Sequence, residues 1–134
     1  MKRFLVSIAL LFFVTGCGGG KIQLGGTVTF EDDTPLSKGS VVFSTDTYKG
    51  GGNIDSNGKY VVGSIDVKDG LPKGTYKVFI SGATEEITVR GSLSEYSLID
   101  PKYASYNSTP LTCEIPAPKN TFDIKVPKNP NPKP

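Results

Sequence analysis

The chain of 134 residues has no histidine, no tryptophan and only two cysteines. Histidine is the commonest general base near neutral pH and the commonest neutral metal ligand. Its absence excludes Ser-His and Cys-His nucleophile pairs and the hydrolases built on them. No catalytic residue, metal ligand or cofactor is expected, and the protein reads as a non-enzyme. An excess of one charge is also missing. Lys2 and Arg3 are the only charged residues before position 17, and without them 13 Lys+Arg balance 13 Asp+Glu. Nucleic-acid binders present a basic stripe to phosphates. Here the cations are scattered from Lys21 to Lys133, which argues against a nucleic-acid partner.

Long apolar runs are lacking too, with one exception. Phe4 to Val14 is apolar but for Ser7 and follows Lys2 and Arg3. Such a run has the length of a secretory signal core and falls well short of the roughly 20 residues that span a bilayer. The next residues, Val14-Thr15-Gly16-Cys17, resemble a bacterial lipobox. The resemblance implies cleavage by signal peptidase II between Gly16 and Cys17, a thioether diacylglycerol on the Cys17 sulfur, and acyl chains such as palmitate in the membrane. One acyl chain holds a protein only marginally, whereas two or three hold it firmly. The expected location is therefore the cell envelope, with the membrane as partner through the lipid. Gly18 stands where inner-membrane retention signals often carry aspartate, which favours the outer membrane.

Residues 17–134 suffice for one ordinary domain with its own core and are too few for two. With Cys17 acylated, Cys113 has no cysteine to pair with, so packing alone must hold the fold. Residues 17–22 read as the lipidated cysteine and a glycine-rich tether, 23–127 as the domain, and 128–134 as a proline-rich disordered tail.

From Ile22 onward the apolar residues recur with period two. Ile22, Leu24, Val28 and Phe30 share a parity, as do Val41 and Phe43. So do Tyr76, Val78 and Ile80, with Phe79 on the opposite face, and then Ile87 and Val89. Leu111, Cys113 and Ile115 follow, and last Phe122, Ile124 and Val126. Weaker strands are expected at 52–55 and 59–63. Turn signals separate the runs at DDTPL (32–36), DSNG (55–58), LPKG (71–74) and APKN (117–120). No window has helical periodicity. The pattern predicts an all-β fold, a single antiparallel β-sandwich of seven or eight strands, transthyretin-like or immunoglobulin-like. The stretch 91–110 is the longest without alternation and holds Tyr96, Tyr103 and Tyr106.

Four motifs occur in order. Gly26-Thr27-Val28 leads through Pro35-Leu36 to Gly39-Ser40-Val41-Val42-Phe43. Asp55, Gly58 and Tyr60 follow, then Pro72, Gly74, Tyr76 and Val78. The last set is Ile99, Pro101, Lys102, Tyr103, Leu111, Asn120, Thr121, Phe122 and Asp123. Together they resemble the carboxypeptidase regulatory-like, or transthyretin-like, domain of small bacterial lipoproteins of the planctomycete type. The resemblance covers most of residues 23–126 and implies the fold; it implies little about function. Between Gly82 and Leu98 the chain departs from it.

Candidate sites are few. Asp55-Ser56-Asn57-Gly58 has the first ligands of a calcium loop but lacks the later bidentate glutamate, so it reads as a hairpin turn. Asn107-Ser108-Thr109 fits a glycosylation sequon that a bacterium normally leaves unread. Cys113 falls on the core face, where a free thiol behaves as a small hydrophobe. Tyr96, Tyr103 and Tyr106 could form a stacking platform for a sugar or peptide, or could pin their loop onto the sandwich. Two functions follow as expectations. One is a lipid-anchored structural or adhesion module with an unidentified protein or glycan partner. The other is a carbohydrate- or peptide-binding accessory protein using the loop 91–110.

Overall fold

A computed structural model describes residues 21–63 and 70–132. The expected signal segment, Cys17 and most of the tether lie outside these residues. The chain is all-β, as its periodicity indicates, and carries nine strands among the described residues. These are β1 Gly25–Phe30, β2 Ser40–Ser44, β3 Lys49–Asn53, β4 Lys59–Val61, β5 Gly74–Ser81, β6 Thr84–Val89, β7 Ser92–Ser97, β8 Thr112–Ile115 and β9 Ile124–Val126. One sheet has the order β4-β1-β9, a second the order β3-β2-β5-β8, and β6-β7 is a separate ribbon. All pairings are antiparallel except β1 with β9, where Val28 faces Ile124 and Phe30 faces Val126 in parallel. Between β8 and β9 a 3-10 turn at Pro118–Asn120 carries the chain from the larger sheet to the smaller one.

The two sheets bury the parities read from the sequence. Leu24 and Val28, Val41 and Phe43, Tyr76, Val78 and Ile80, Cys113 and Ile115, and Ile124 and Val126 are all buried in one core. Phe43 sits at its centre, its ring 6.2 Å from Tyr60, 6.4 Å from Tyr76 and 6.1 Å from Phe122. Tyr60 and Tyr76 reach this core because each hydroxyl donates to a backbone carbonyl. Tyr60 donates to Phe122, and Tyr76 to Pro72 at 2.8 Å, four residues upstream. The second bond has the form of a tyrosine corner, in which a strand-entry tyrosine ties down the turn before it.

Three expectations are corrected. First, 91–110 is not one loop, because its first part is β7, paired along its length with β6. No residue of either strand is buried, so β7 has no apolar face to announce it and SLSEYS lacks alternation. For the same reason Ile87 and Val89 alternate without facing the core; Val89 is 37% exposed. Second, the chain after Val126 is held at its start. Ile99 bridges Lys128, the Asn129 amide donates to the Leu98 carbonyl at 3.0 Å, and the Asn129 side chain donates to the Ser97 carbonyl at 2.9 Å. These bonds use backbone and amide groups, which a count of apolar residues does not register. Third, Ile22 belongs to the domain and not to a tether: its amide and carbonyl each bond Leu71 at 2.8 Å.

The DSNG turn forms as its composition demands. The Asp55 carboxylate accepts from the amides of Asn57 at 2.8 Å and Lys59 at 2.9 Å, and Gly58 takes φ +79°. A Cβ there would lie 2.7 Å from the Val28 carbonyl, so both handedness and space require glycine.

Candidate functional site

The segment after β7 folds back over β5. The Asp100 side chain accepts from the Lys102 amide at 3.1 Å and caps a short 3-10 turn, Pro101–Ala104, that begins with proline. Tyr103 lies in this turn, half-buried against the core. The Ser108 hydroxyl donates to the Lys102 carbonyl at 2.8 Å and closes the segment on itself. Thr109 is buried; its hydroxyl donates to the Val78 carbonyl of β5 at 2.6 Å and accepts from the Leu111 amide at 3.2 Å. The last residue of the sequon Asn107-Ser108-Thr109 is thus a structural clasp.

Tyr106 stands at the outer end of the same segment. Its hydroxyl donates to the Asp46 carboxylate at 3.2 Å, and the Lys77 ammonium lies 4.6 Å from its ring centroid. Partial desolvation, and then the Asp46 charge, raise the phenol above its ordinary pKa. One face of the ring already carries a cation from β5.

Tyr96 is placed elsewhere. On β7 it pairs in register with Glu85 and borders an open groove of about 300 Å³ with Phe30, Leu98, Lys128, Asn129 and Pro132. Lys128 lies 5.3 Å from the centroid of Phe30 and bonds the Asp32 carboxylate at 2.8 Å, which holds Asp32 well below the usual carboxylate range. The three tyrosines are therefore not one platform. Tyr103 and Tyr106 belong to the segment packed on β5, Tyr96 to a groove beside β7, and no two of the three rings stack among the described contacts.

A second depression, of about 560 Å³, opens at the base of the ribbon and is lined by Lys38, Thr84, Glu85, Glu86 and Glu95. Lys38 pairs with Glu85 at 3.0 Å, and the Thr84 hydroxyl donates to Glu95. Glu86 stands directly opposite Glu95 in the ribbon. Among the described residues no group of three His, Cys, Asp or Glu side chains is placed to hold a metal. Cys113 is buried on β8, and burial pushes its thiol up to about 11, which keeps it protonated and unreactive at neutral pH.

Sequence reasoning missed the residues that complete these arrangements: Asp46 and Lys77 around Tyr106, and Phe30 and Lys128 beside Tyr96. Asp46 lies 60 residues from Tyr106 along the chain. No local pattern carries such a pairing; only the sheet order does.

No family model matches the chain, and no curated protein matches it. Among solved structures, the chain is similar to the major pilin subunit of Bacillus cereus, with a TM-score of 0.47 and 15% identity over 82% of this chain. The match spans 30% of that pilin's length.

Proposed function

We propose that this protein is a lipid-anchored, non-enzymatic β-sandwich module of the cell envelope, serving a structural or adhesive role. The anchor rests on Val14-Thr15-Gly16-Cys17 and the apolar run before it. The non-enzymatic reading rests on one structural observation above others: three polar side chains of the 98–111 segment are bonded within the protein. Thr109 clasps Val78, Ser108 closes onto Lys102, and Tyr106 is held between Asp46 and Lys77. The buried thiol of Cys113 and a composition without histidine support the same reading. Kinship with the transthyretin-like domains of planctomycete-type lipoproteins belongs to this proposal and rests on the four ordered motifs. The test is metabolic labelling with a fatty-acid probe. Wild type should be labelled and cleaved; Cys17→Ser should remain an unlabelled precursor, and equal labelling of both would remove the anchor.

One observation favours a second reading, an accessory protein that binds a glycan or peptide. Tyr96, Phe30, Leu98 and Pro132 border an open groove beside β7. Glycan and peptide arrays probed with wild type and Tyr96→Ala separate the readings. A specific ligand lost in the variant supports binding at the groove; no ligand for either supports the structural role.

A further inference from the structure

The β6-β7 ribbon has no buried residue. Among the described residues β6 pairs with β7 alone, and Leu93 is 75% exposed. Leu93 and Val89 are two of the three large apolar side chains exposed among the described residues. An open strand edge is a template for another strand, and proteins usually blunt it with shortness, proline or charged side chains, lysine above all; the charges of β6 are Glu85, which pairs with Lys38, and Glu86. Other outer strands here are blunted in this way: β4 and β9 have three residues each, and Pro110 and Pro116 flank β8. β6 has six residues with neither proline nor lysine. The outer side of β7 is occupied at its base, where Ser97 and Leu98 accept from Asn129.

The turn of the ribbon fixes which backbone groups of β6 are available. Val89 faces Ser92 across a two-residue turn in which Arg90 (φ +50°) and Gly91 (φ +83°) are both left-handed, the type I′ form. Such a turn closes on a hydrogen-bonded pair. By alternation, Glu85, Ile87 and Val89 direct their backbone groups toward β7, while Glu86 and Thr88 direct theirs outward.

We propose that the outer edge of β6 is an interface with a second copy of this chain, the two β6 strands pairing antiparallel about a two-fold axis at Thr88. Outward groups must meet outward groups, so the axis can fall at Glu86, Ile87 or Thr88. An axis at Glu86 places like charges opposite each other, and one at Ile87 places Glu86 opposite Thr88. An axis at Thr88 places Glu86 opposite the second copy's Arg90, and does so twice. The same register sets Ile87 opposite Val89 twice on one face. On the other face, where Leu93 neighbours Thr88 in the ribbon, it forms a row of Leu93, Thr88, Thr88 and Leu93. The charge pattern, the apolar pairs and the open backbone groups thus select one isologous arrangement. Because only the ribbon ends overlap, the two sandwiches lie at opposite ends of a four-stranded sheet. The inference does not depend on the lipid anchor.

Cysteine cross-linking of the full chain in intact cells that express it tests this. A hydrogen-bonded antiparallel pair holds its Cα atoms about 5.5 Å apart, within reach of a short bifunctional thiol cross-linker. Thr88→Cys should therefore give a covalent homodimer with such a reagent. Glu95→Cys, equally exposed on the other edge of the ribbon, should not. Adding Glu86→Arg to Thr88→Cys should lower the dimer yield roughly tenfold by setting like charges opposite each other. Further addition of Arg90→Glu should restore it. Wild-type melting of each variant shows that folding is intact. Equal cross-linking from Glu95→Cys, a yield unmoved by Glu86→Arg, no rescue by Arg90→Glu, or Thr88→Cys linking only to other proteins would each overturn the proposal.

Discussion

The Thr109 hydroxyl donates to the Val78 carbonyl at 2.6 Å, joining a buried loop residue to the central strand of the larger sheet across 31 positions of sequence. The same oxygen accepts from the Leu111 amide, so one side chain satisfies two backbone groups where the chain re-enters the sandwich at β8. Thr109→Val keeps the shape and removes both bonds. The expected loss is about 1–3 kcal/mol, the range for leaving a buried polar group unpaired. Thr109→Ser should retain most of the stability. Thermal or urea unfolding of the two variants checks this, and a larger loss for Thr109→Ser than for Thr109→Val would mean that packing of the methyl group, not the hydroxyl, matters.

Tyr48 gives the opposite expectation. Its hydroxyl is buried without a hydrogen-bond partner among the described residues, while its ring meets Tyr76 edge-on at 6.4 Å. Tyr48→Phe preserves the ring contact and removes an unpaired polar atom. It should leave stability unchanged or raise it by up to about 1 kcal/mol. A measured loss above that size would show that the hydroxyl has a partner in solution.

Gly58→Val should lower stability by at least about 2 kcal/mol, because a left-handed conformation penalises any Cβ and this one also meets the Val28 carbonyl. Lys59→Ala beside it, on an exposed position, should change little. Phe43→Ala, which opens the centre of the core, should cost about 3–5 kcal/mol. Denaturant titration of the three variants should give that order.

The thiol of Cys113 supplies a pH-dependent expectation. Burial raises its pKa from 9.0 to about 11, so above pH 9 the unfolded chain loses a proton that the folded chain keeps. The stabilisation is complete below pH 9 and is lost as pH rises through about 11. Cys113→Ala should flatten that part of the stability profile. At pH 8 a thiol reagent should modify native Cys113 slowly and the urea-unfolded chain at once.

The tyrosines separate by environment. Tyr103→Ala removes a ring packed against the core and should lower the melting temperature by several degrees. Tyr106→Phe gives up only an exposed bond to Asp46 and should shift it little. Tyr96→Ala should leave stability nearly unchanged and is the variant of the three to test for lost ligand binding. If calorimetry shows Tyr103→Ala melting like wild type, the ring does not pin the segment.

The core was legible in the sequence because a strand with one buried face must alternate, and Val41 with Phe43 or Tyr76 with Val78 and Ile80 obey that rule whatever lies across from them. Asp55 and Gly58 were legible for a similar reason: a tight turn needs local carboxylate bonds and positive φ, both properties of the residues themselves. The ribbon strand β7 was not, since a strand exposed on both faces is under no pressure to alternate. Nor was the parallel pairing of β1 with β9, which depends on where the chain lies after crossing both sheets. The division among the tyrosines was likewise decided by tertiary structure. Asp46, Lys77, Phe30 and Lys128 come to Tyr106 and Tyr96 from distant parts of the chain, and a side chain's neighbours follow from sheet order, which no short stretch of sequence encodes.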